Sequence, residues 1–342
     1  MRSKRLAIGI LFLFLFTAQA FAFGETKWEF KAFVASNITF HEDKILFGDQ
    51  LGMLYVLNKD SGEVIWTHHD QGPIIKTIAV VDDKVLYITS TGHVTCLNLE
   101  DGALIWDYTP AESADEIIHD GVVVGEGLAF VVKNDSKLYA LDISTGKTVW
   151  TFQGNEQGLQ TAPAYSEGLV FLGEYNGIFD IIDAKTGERL NGGGAGGAIN
   201  TPVVKDGVVC YSSWAGSVNA VQIKSVIPLW NVNIKEPITT SPVIAEGIIV
   251  VGTGRGFVTA LSEKDGSSIW RLDCKNGVVT SKPIIANGKV YAVPEGGNVY
   301  EIEATSGKVL NTFETKGPVS SPAYSDGVLY FGNMDTLMAV KE

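Results

Sequence analysis

Few residues of the sequence stand in arrangements that could do chemistry. His68, His69 and Asp70 are consecutive. Adjacent side chains in an extended segment point to opposite sides, so the two imidazoles do not share one metal ion, and a solvated loop is the simpler reading. Glu112, Asp115 and Glu116 fall in an acidic insert, residues 110–116. Carboxylates suit a hard cation, yet their spacing matches no known ligand loop, so no metal site is expected. Residues 191–197 run Asn, Gly, Gly, Gly, Ala, Gly, Gly. That is the composition of a phosphate cradle, but no helix follows to aim its N-terminus at an anion; a flexible turn is expected. Cys96, Cys210 and Cys274 are too few for a disulfide-built scaffold. The first two read as buried small apolar residues and the third as a loop residue. No Ser-His-Asp or Cys-His arrangement follows from spacing, so no catalytic residue is assigned.

The elements that would position any site come from a repeat. One phrase ends in a turn with Gly, three residues and a Trp, as in residues 140–150, ALDISTGKTVW. Copies end at Trp66, Trp106, Trp230 and Trp270, while Asn191 and Asn311 stand where Trp is expected. From Trp28 to Asn311 the steps are 38, 40, 44, 41, 39, 40 and 41 residues. A second phrase, Ser-Pro followed by an apolar pair and a Gly turn, precedes the first, as at Ser241-Pro242 and Ser321-Pro322. Each unit reads as four short strands separated by Gly, Asp and Asn turns. Four strands in about 40 residues make a propeller blade. The chain of 342 residues is thus expected to be all-β: one eight-bladed β-propeller of four-stranded antiparallel blades. The last residues match a third strand, and residues 24–28, ending at Trp28, match the missing fourth. An N-terminal strand is therefore expected to pair with the C-terminal blade and close the ring, which removes two open sheet edges.

The residue ten positions before each Trp is small: Ala140, Ala220, Ala260 and Cys96, with Val56 slightly larger. In the two units without Trp it is Ile181 and Glu301. A small residue leaves room for an indole, whose N–H seeks an acceptor, so these tryptophans read as structural staples rather than ligand contacts.

Arg2, Lys4 and Arg5 followed by an apolar run and small residues read as a secretion signal, residues 1–22, leaving residues 23–342 as the propeller domain. The run is too short to span a membrane. No Cys lies near the cleavage site, so a lipid anchor is not expected. The product is periplasmic or extracellular. A formal net charge of −13 argues against nucleic-acid binding, which needs a basic surface.

The two phrases resemble the tryptophan-docking repeats of the PQQ-like β-propeller superfamily, over the whole chain after the signal. Its branches include pyrroloquinoline-quinone alcohol dehydrogenases and non-catalytic BamB-like envelope assembly factors. The resemblance implies the fold and leaves function to the site. The dehydrogenase branch implies a longer chain, two adjacent Cys, and a calcium-binding cluster beside a catalytic Asp. None of the three Cys here is adjacent to another, and no such cluster can be placed. The BamB-like branch implies similar length and architecture, though with a lipidated Cys that this sequence lacks. The expectation is a non-catalytic, monomeric scaffold needing no cofactor and binding an extracytoplasmic protein or peptide, with envelope assembly as the role the resemblance implies. The alternative is a small dehydrogenase or sensor using pyrroloquinoline quinone and calcium.

Loops between second and third strands share one face of a propeller with the connectors between blades, and partners meet that face. There Trp214, Tyr175 and Arg255 are the candidate partner contacts, because exposed aromatics and Arg suit interfaces. Lys76, Asp120, Gln160 and Lys282 are the candidate channel-lining residues, with a small anionic or polyol ligand as the chemistry they suggest.

Overall fold

The computed structural model describes residues 24–342 except 109–120, 134, 156–157, 160, 276, 316–319 and 333–334. The expected signal, the acidic insert, Asp120 and Gln160 lie outside the described residues. Eight four-stranded antiparallel sheets form the ring of blades. The inner strands of blades 1 to 8 are Thr39–His41, Ala79–Val81, Val122–Gly125, Ala164–Ser166, Val203–Lys205, Val243–Ala245, Ile284–Ala286 and Ala323–Ser325. Neighbouring inner strands contact one another around the axis. The outer strands of blades 1 to 7 are Val64–His69, Leu104–Tyr108, Thr148–Gln153, Arg189–Gly194, Ile227–Asn233, Ser268–Asp273 and Val309–Phe313. Blade 8 takes its outer strand, Thr26–Phe30, from the other end of the chain. That strand pairs antiparallel with Leu337–Lys341, Trp28 facing Ala339.

Burial follows from stacking the sheets face to face. The second strand of blade 1, Lys44–Gly48, is buried at every position. In the outer strand Val64–His69 the one buried residue is Trp66. Apolar clusters bridge consecutive blades, and the cluster of Ile45, Phe47 and Leu57 with Val328, Tyr330 and Leu337 joins blade 8 to blade 1. The ring therefore closes through side-chain packing as well as strand pairing.

Each tryptophan faces its expected small partner across the sheet: Ala140 faces Trp150, Cys96 faces Trp106 and Ala260 faces Trp270. Each indole then reaches into the next blade. Trp66 Nε1 donates to Leu99 O at 2.9 Å and Trp106 Nε1 to Ile143 O at 2.7 Å. Trp28, Trp150, Trp230 and Trp270 repeat the bond to Lys59, Ala184, Glu263 and Ala304. The indole lies flat on the turn glycine of that blade. A Cβ added at Gly102 would sit 2.7 Å from Trp66, and one at Gly146 2.7 Å from Trp106.

The two departures from the repeat each coincide with a change in the blade that would receive the indole. Blade 4 carries Asn191 in place of Trp, and the turn of blade 5 carries Val226 in place of Gly, at φ 53°. Blade 7 carries Asn311, and blade 8 has no third-to-fourth turn because those strands come from opposite ends of the chain. In blade 4 the missing indole goes with a missing receiving glycine, and in blade 7 with a missing receiving turn, although Gly24 keeps the glycine position before Trp28 at φ 77°. We expect Gly146→Ala to destabilise the fold by about 1–3 kcal/mol, the usual cost of overpacking, read as a lower chemical-denaturation midpoint. An unchanged midpoint would mean that the indole does not need the bare glycine.

Candidate functional site

The face carrying the second-to-third strand loops is built by backbone pairing between those loops and the connectors. Tyr175 N donates to Gly158 O at 3.1 Å, Trp214 N to Ala198 O at 2.9 Å, and Gly254 N to Pro237 O at 2.9 Å. The loops are also capped from within: Asp49 accepts from Leu51 N and Met53 N, and Thr253 Oγ1 from Phe257 N. Ser213 bonds Ser217 and Ala195 O. These bonds fix the loop tips, so residues on them are presented rather than mobile.

Tyr175, Trp214 and Arg255 stand at these tips in blades 4, 5 and 6, one blade apart. Tyr175 is 59% exposed and Trp214 54% exposed, and Arg255 is exposed. Leu51, 77% exposed at the equivalent tip of blade 1, and Phe33, in the connector before that blade, belong to the same face and escaped the sequence reading. The signal was available for Leu51: an apolar residue just before the turn glycine Gly52 has no core to enter.

Beneath Tyr175 lie two buried carboxyl groups, Glu174 and Asp180, 3% and 1% exposed. Arg189 Nε donates to Asp180 Oδ1 at 2.5 Å, and Asn155 N donates to Glu174 Oε1 at 3.3 Å. Glu174 Oε2 and Asp180 Oδ2 have no other donor. They satisfy each other when one carboxyl is protonated, and Arg189 pairs with Asp180 from the side. Burial first, and then the adjacent Asp180, push Glu174 up to about 7. A raised carboxyl pKa means that the folded state keeps a proton the unfolded chain releases. The stabilisation is present below the ordinary glutamate pKa and is lost as pH rises towards 7. Glu174→Gln, which keeps a donor towards Asp180, is expected to flatten the fall in melting temperature between pH 5 and pH 8 relative to wild type. Equal slopes for the two proteins would contradict the shared proton.

At the axis a cavity of about 320 Å³ is lined largely by hydroxyl and amide side chains, with Lys282 the one charged group among its described lining residues. Lys282 stands just before the inner strand of blade 7 rather than within it, since that strand begins after Pro283. Lys76 lies in the connector before the inner strand of blade 2, half-buried, and is not among the lining residues. The candidate quinone site can be tested against these donors. A calcium ion takes six to eight oxygen ligands, carboxylates prominent among them. No carboxylate lines the cavity among the described residues, and no three of His, Cys, Asp and Glu come together among them. The described residues do not fit a calcium-bound quinone.

The remaining sequence candidates have structural positions. His68 and His69 end the outer strand of blade 1 rather than standing in a loop. The adjacent Asp70 clamps the blade junction, accepting from Tyr87 Oη at 2.9 Å and Thr95 Oγ1 at 2.6 Å. Residues 191–194 are not a turn. They continue the outer strand of blade 4, Gly192 pairing with Asp180 and Gly193 with Phe179, because backbone pairing with a buried neighbour outweighs glycine's low strand preference. All three cysteines are free and buried. Burial pushes the Cys96 thiol up to about 11 and the Cys274 thiol up to about 12, so neither is an activated nucleophile.

The profile of the family described as outer membrane protein assembly factor BamB matches residues 19–113, 50–237 and 214–341. The outer membrane protein assembly factor BamB of Francisella tularensis is 34% identical over 73 residues, 21% of this chain and 16% of that protein. A quinohemoprotein alcohol dehydrogenase of Comamonas testosteroni is 38% identical over 85 residues, 22% of this chain and 12% of that protein. These alignments thus span under a fifth of either relative's length. The crystal structure of BamB from Moraxella catarrhalis superposes with a TM-score of 0.80 at 17% identity, covering 93% of this chain and all of that one. At that identity the likeness is one of fold.

Proposed function

The chain belongs to the family of outer membrane protein assembly factor BamB, and from that membership we propose that it is an exported, non-catalytic scaffold in outer membrane protein assembly. It holds an extracytoplasmic protein or peptide on the loop face of the propeller. The observation that carries this reading is the row of exposed side chains, Tyr175, Trp214 and Arg255, on hydrogen-bonded loop tips of three consecutive blades. Aromatic and Arg side chains on a rigid surface are the groups that dominate protein interfaces. No helix among the described residues is long and apolar enough to cross a membrane. The proposed location is the periplasm.

The test is direct binding between the purified protein and the periplasmic part of an outer membrane assembly component from the same cell, by interferometry. Saturable binding is expected, and its absence overturns the proposal. The dehydrogenase relative keeps a quinone reading in view. Titration with pyrroloquinoline quinone and calcium, followed by tryptophan fluorescence and dye-linked alcohol oxidation, is expected to give neither saturation nor turnover. Turnover would replace the scaffold with an enzyme.

A further inference from the structure

The junction of blades 5 and 6 departs from that of blades 1 and 2. Strand pairing sets Val251 opposite Thr259 as it sets Tyr87 opposite Thr95. Ile234 N donates to Gly216 O as Asp70 N donates to Gly52 O. Ile234, Val251 and Thr259 thus stand where Asp70, Tyr87 and Thr95 make their clamp. Two of the three clamp groups are replaced by smaller or apolar ones, and a cavity of about 430 Å³ lies there, between the outer strand of blade 5 and the sheet of blade 6. Val232, Ile234 and Leu261 give its described lining an apolar wall, and Thr259, Glu236 and Arg271 a polar one. The volume holds roughly fourteen non-hydrogen atoms, taking about 30 Å³ for a water molecule.

Glu236 reaches the cavity from the connector between the blades. Lys235, at φ 60°, turns the chain there, and its N–H donates to Asn233 Oδ1 at 2.7 Å. Glu236 is 9% exposed. Its Oε1 accepts from Arg271 Nη2, while its Oε2 is buried and has no hydrogen-bond partner among the described residues. The guanidinium carbon of Arg271 lies 3.5 Å from the centre of the Phe257 ring. Held on that ring, the guanidinium makes one contact to Glu236 instead of the two-pronged fork that would satisfy both oxygens. A carboxylate oxygen short of a donor therefore sits beside a guanidinium, which has five N–H groups to give. A ligand group that donates and accepts at adjacent atoms matches both, and a primary carboxamide is the simplest such group. An ammonium would serve Glu236 alone and a carboxylate Arg271 alone. Either would add a net charge beside an ion pair already balanced at a buried carboxylate, which is costly.

We propose that the cavity between blades 5 and 6 is a binding site for a small neutral molecule carrying a primary carboxamide on an apolar group. The amide N–H meets Glu236, its carbonyl meets Arg271, and the apolar part lies on Val232, Ile234 and Leu261. The site does not depend on the loop-face reading, because small molecules test it without the protein partner. The test is calorimetric titration of the full propeller with phenylpropanamide. Phenylpropanoate, phenylpropylammonium and benzylacetone, a ketone with a methyl in place of the amino group, are the comparisons. The amide is expected to bind saturably and more tightly than the other three. Glu236→Gln keeps a carbonyl for Arg271 and puts an N–H donor where Oε2 was. It is expected to weaken the amide about tenfold or more, the effect of losing one hydrogen bond to a charged group, and to bind benzylacetone no more weakly than wild type does. The ranking of the four compounds is measured on the wild-type protein and so decides the matter even if the variant does not fold. Three results would overturn the proposal: no saturable binding of the amide up to about 10 mM, a weak limit for a specific site; any of the other three compounds binding wild type as tightly as the amide; or undiminished amide binding by a folded Glu236→Gln protein.

Discussion

Trp106→Ala is expected to lower the stability of the propeller by about 3–5 kcal/mol, the range for removing a large aromatic from a packed core. Trp106 is 9% exposed and packs in the cluster that joins blades 2 and 3. Its truncation does three things at once. It leaves a cavity beside Cys96, it uncovers Gly146, and it removes the donor to Ile143 O. The last adds the desolvation cost of a buried carbonyl left without a partner. Trp106→Phe keeps the ring and loses the bond, and is expected to cost less. Urea unfolding measures both. A loss below about 1 kcal/mol for the alanine variant, at the level of an ordinary surface change, would mean that the indoles decorate the blade junctions without holding them.

The second large effect concerns the loop face. Trp214→Ala is expected to weaken partner binding about 30-fold or more, corresponding to the roughly 2 kcal/mol that defines an interface hot spot. Tyr175→Ala and Arg255→Ala are expected to follow in the same direction with smaller losses. Because Trp214 is 54% exposed and fills no core, its removal should leave the melting temperature where it was. Ile269→Ala serves as the comparison. Ile269 is 42% exposed on the outer strand of blade 6, away from the loop tips, and its removal is expected to leave binding unchanged. If Trp214→Ala binds as wild type does while Ile269→Ala does not, the partner sits on the rim of the ring.

The fold was legible because a propeller repeats its instructions. A 40-residue period, a Gly turn and a Trp three residues on specify blade count and strand order together. The ten-residue interval between a small residue and its Trp is a cross-strand pair, and Ala140 facing Trp150 shows it. What the period did not reveal is the partner on the next blade. Trp66 meets Leu99 and Gly102, in a contact set by ring geometry rather than by neighbouring letters. For the same reason Asp70 read as part of a solvated loop, although it clamps Tyr87 and Thr95. The paired carboxyls Glu174 and Asp180 were silent as well, since strand pairing decides that both are buried. Of the candidate site residues, Tyr175, Trp214 and Arg255 were placed on the loop face by aligning repeats, and Lys282 was placed near the axis the same way. Leu51 and Phe33 were passed over because an isolated apolar residue in a β-rich sequence reads as core.

The central claim is that this propeller works by holding a protein on its loop face. Its most direct measurement is photocrosslinking in cells from a reactive side chain placed at position 214 and, separately, at position 269. Transfer of the label from position 214 to a component of the outer membrane assembly machinery, with none from position 269, is the predicted result. Labelling from position 269 alone, or from neither position, would contradict the claim.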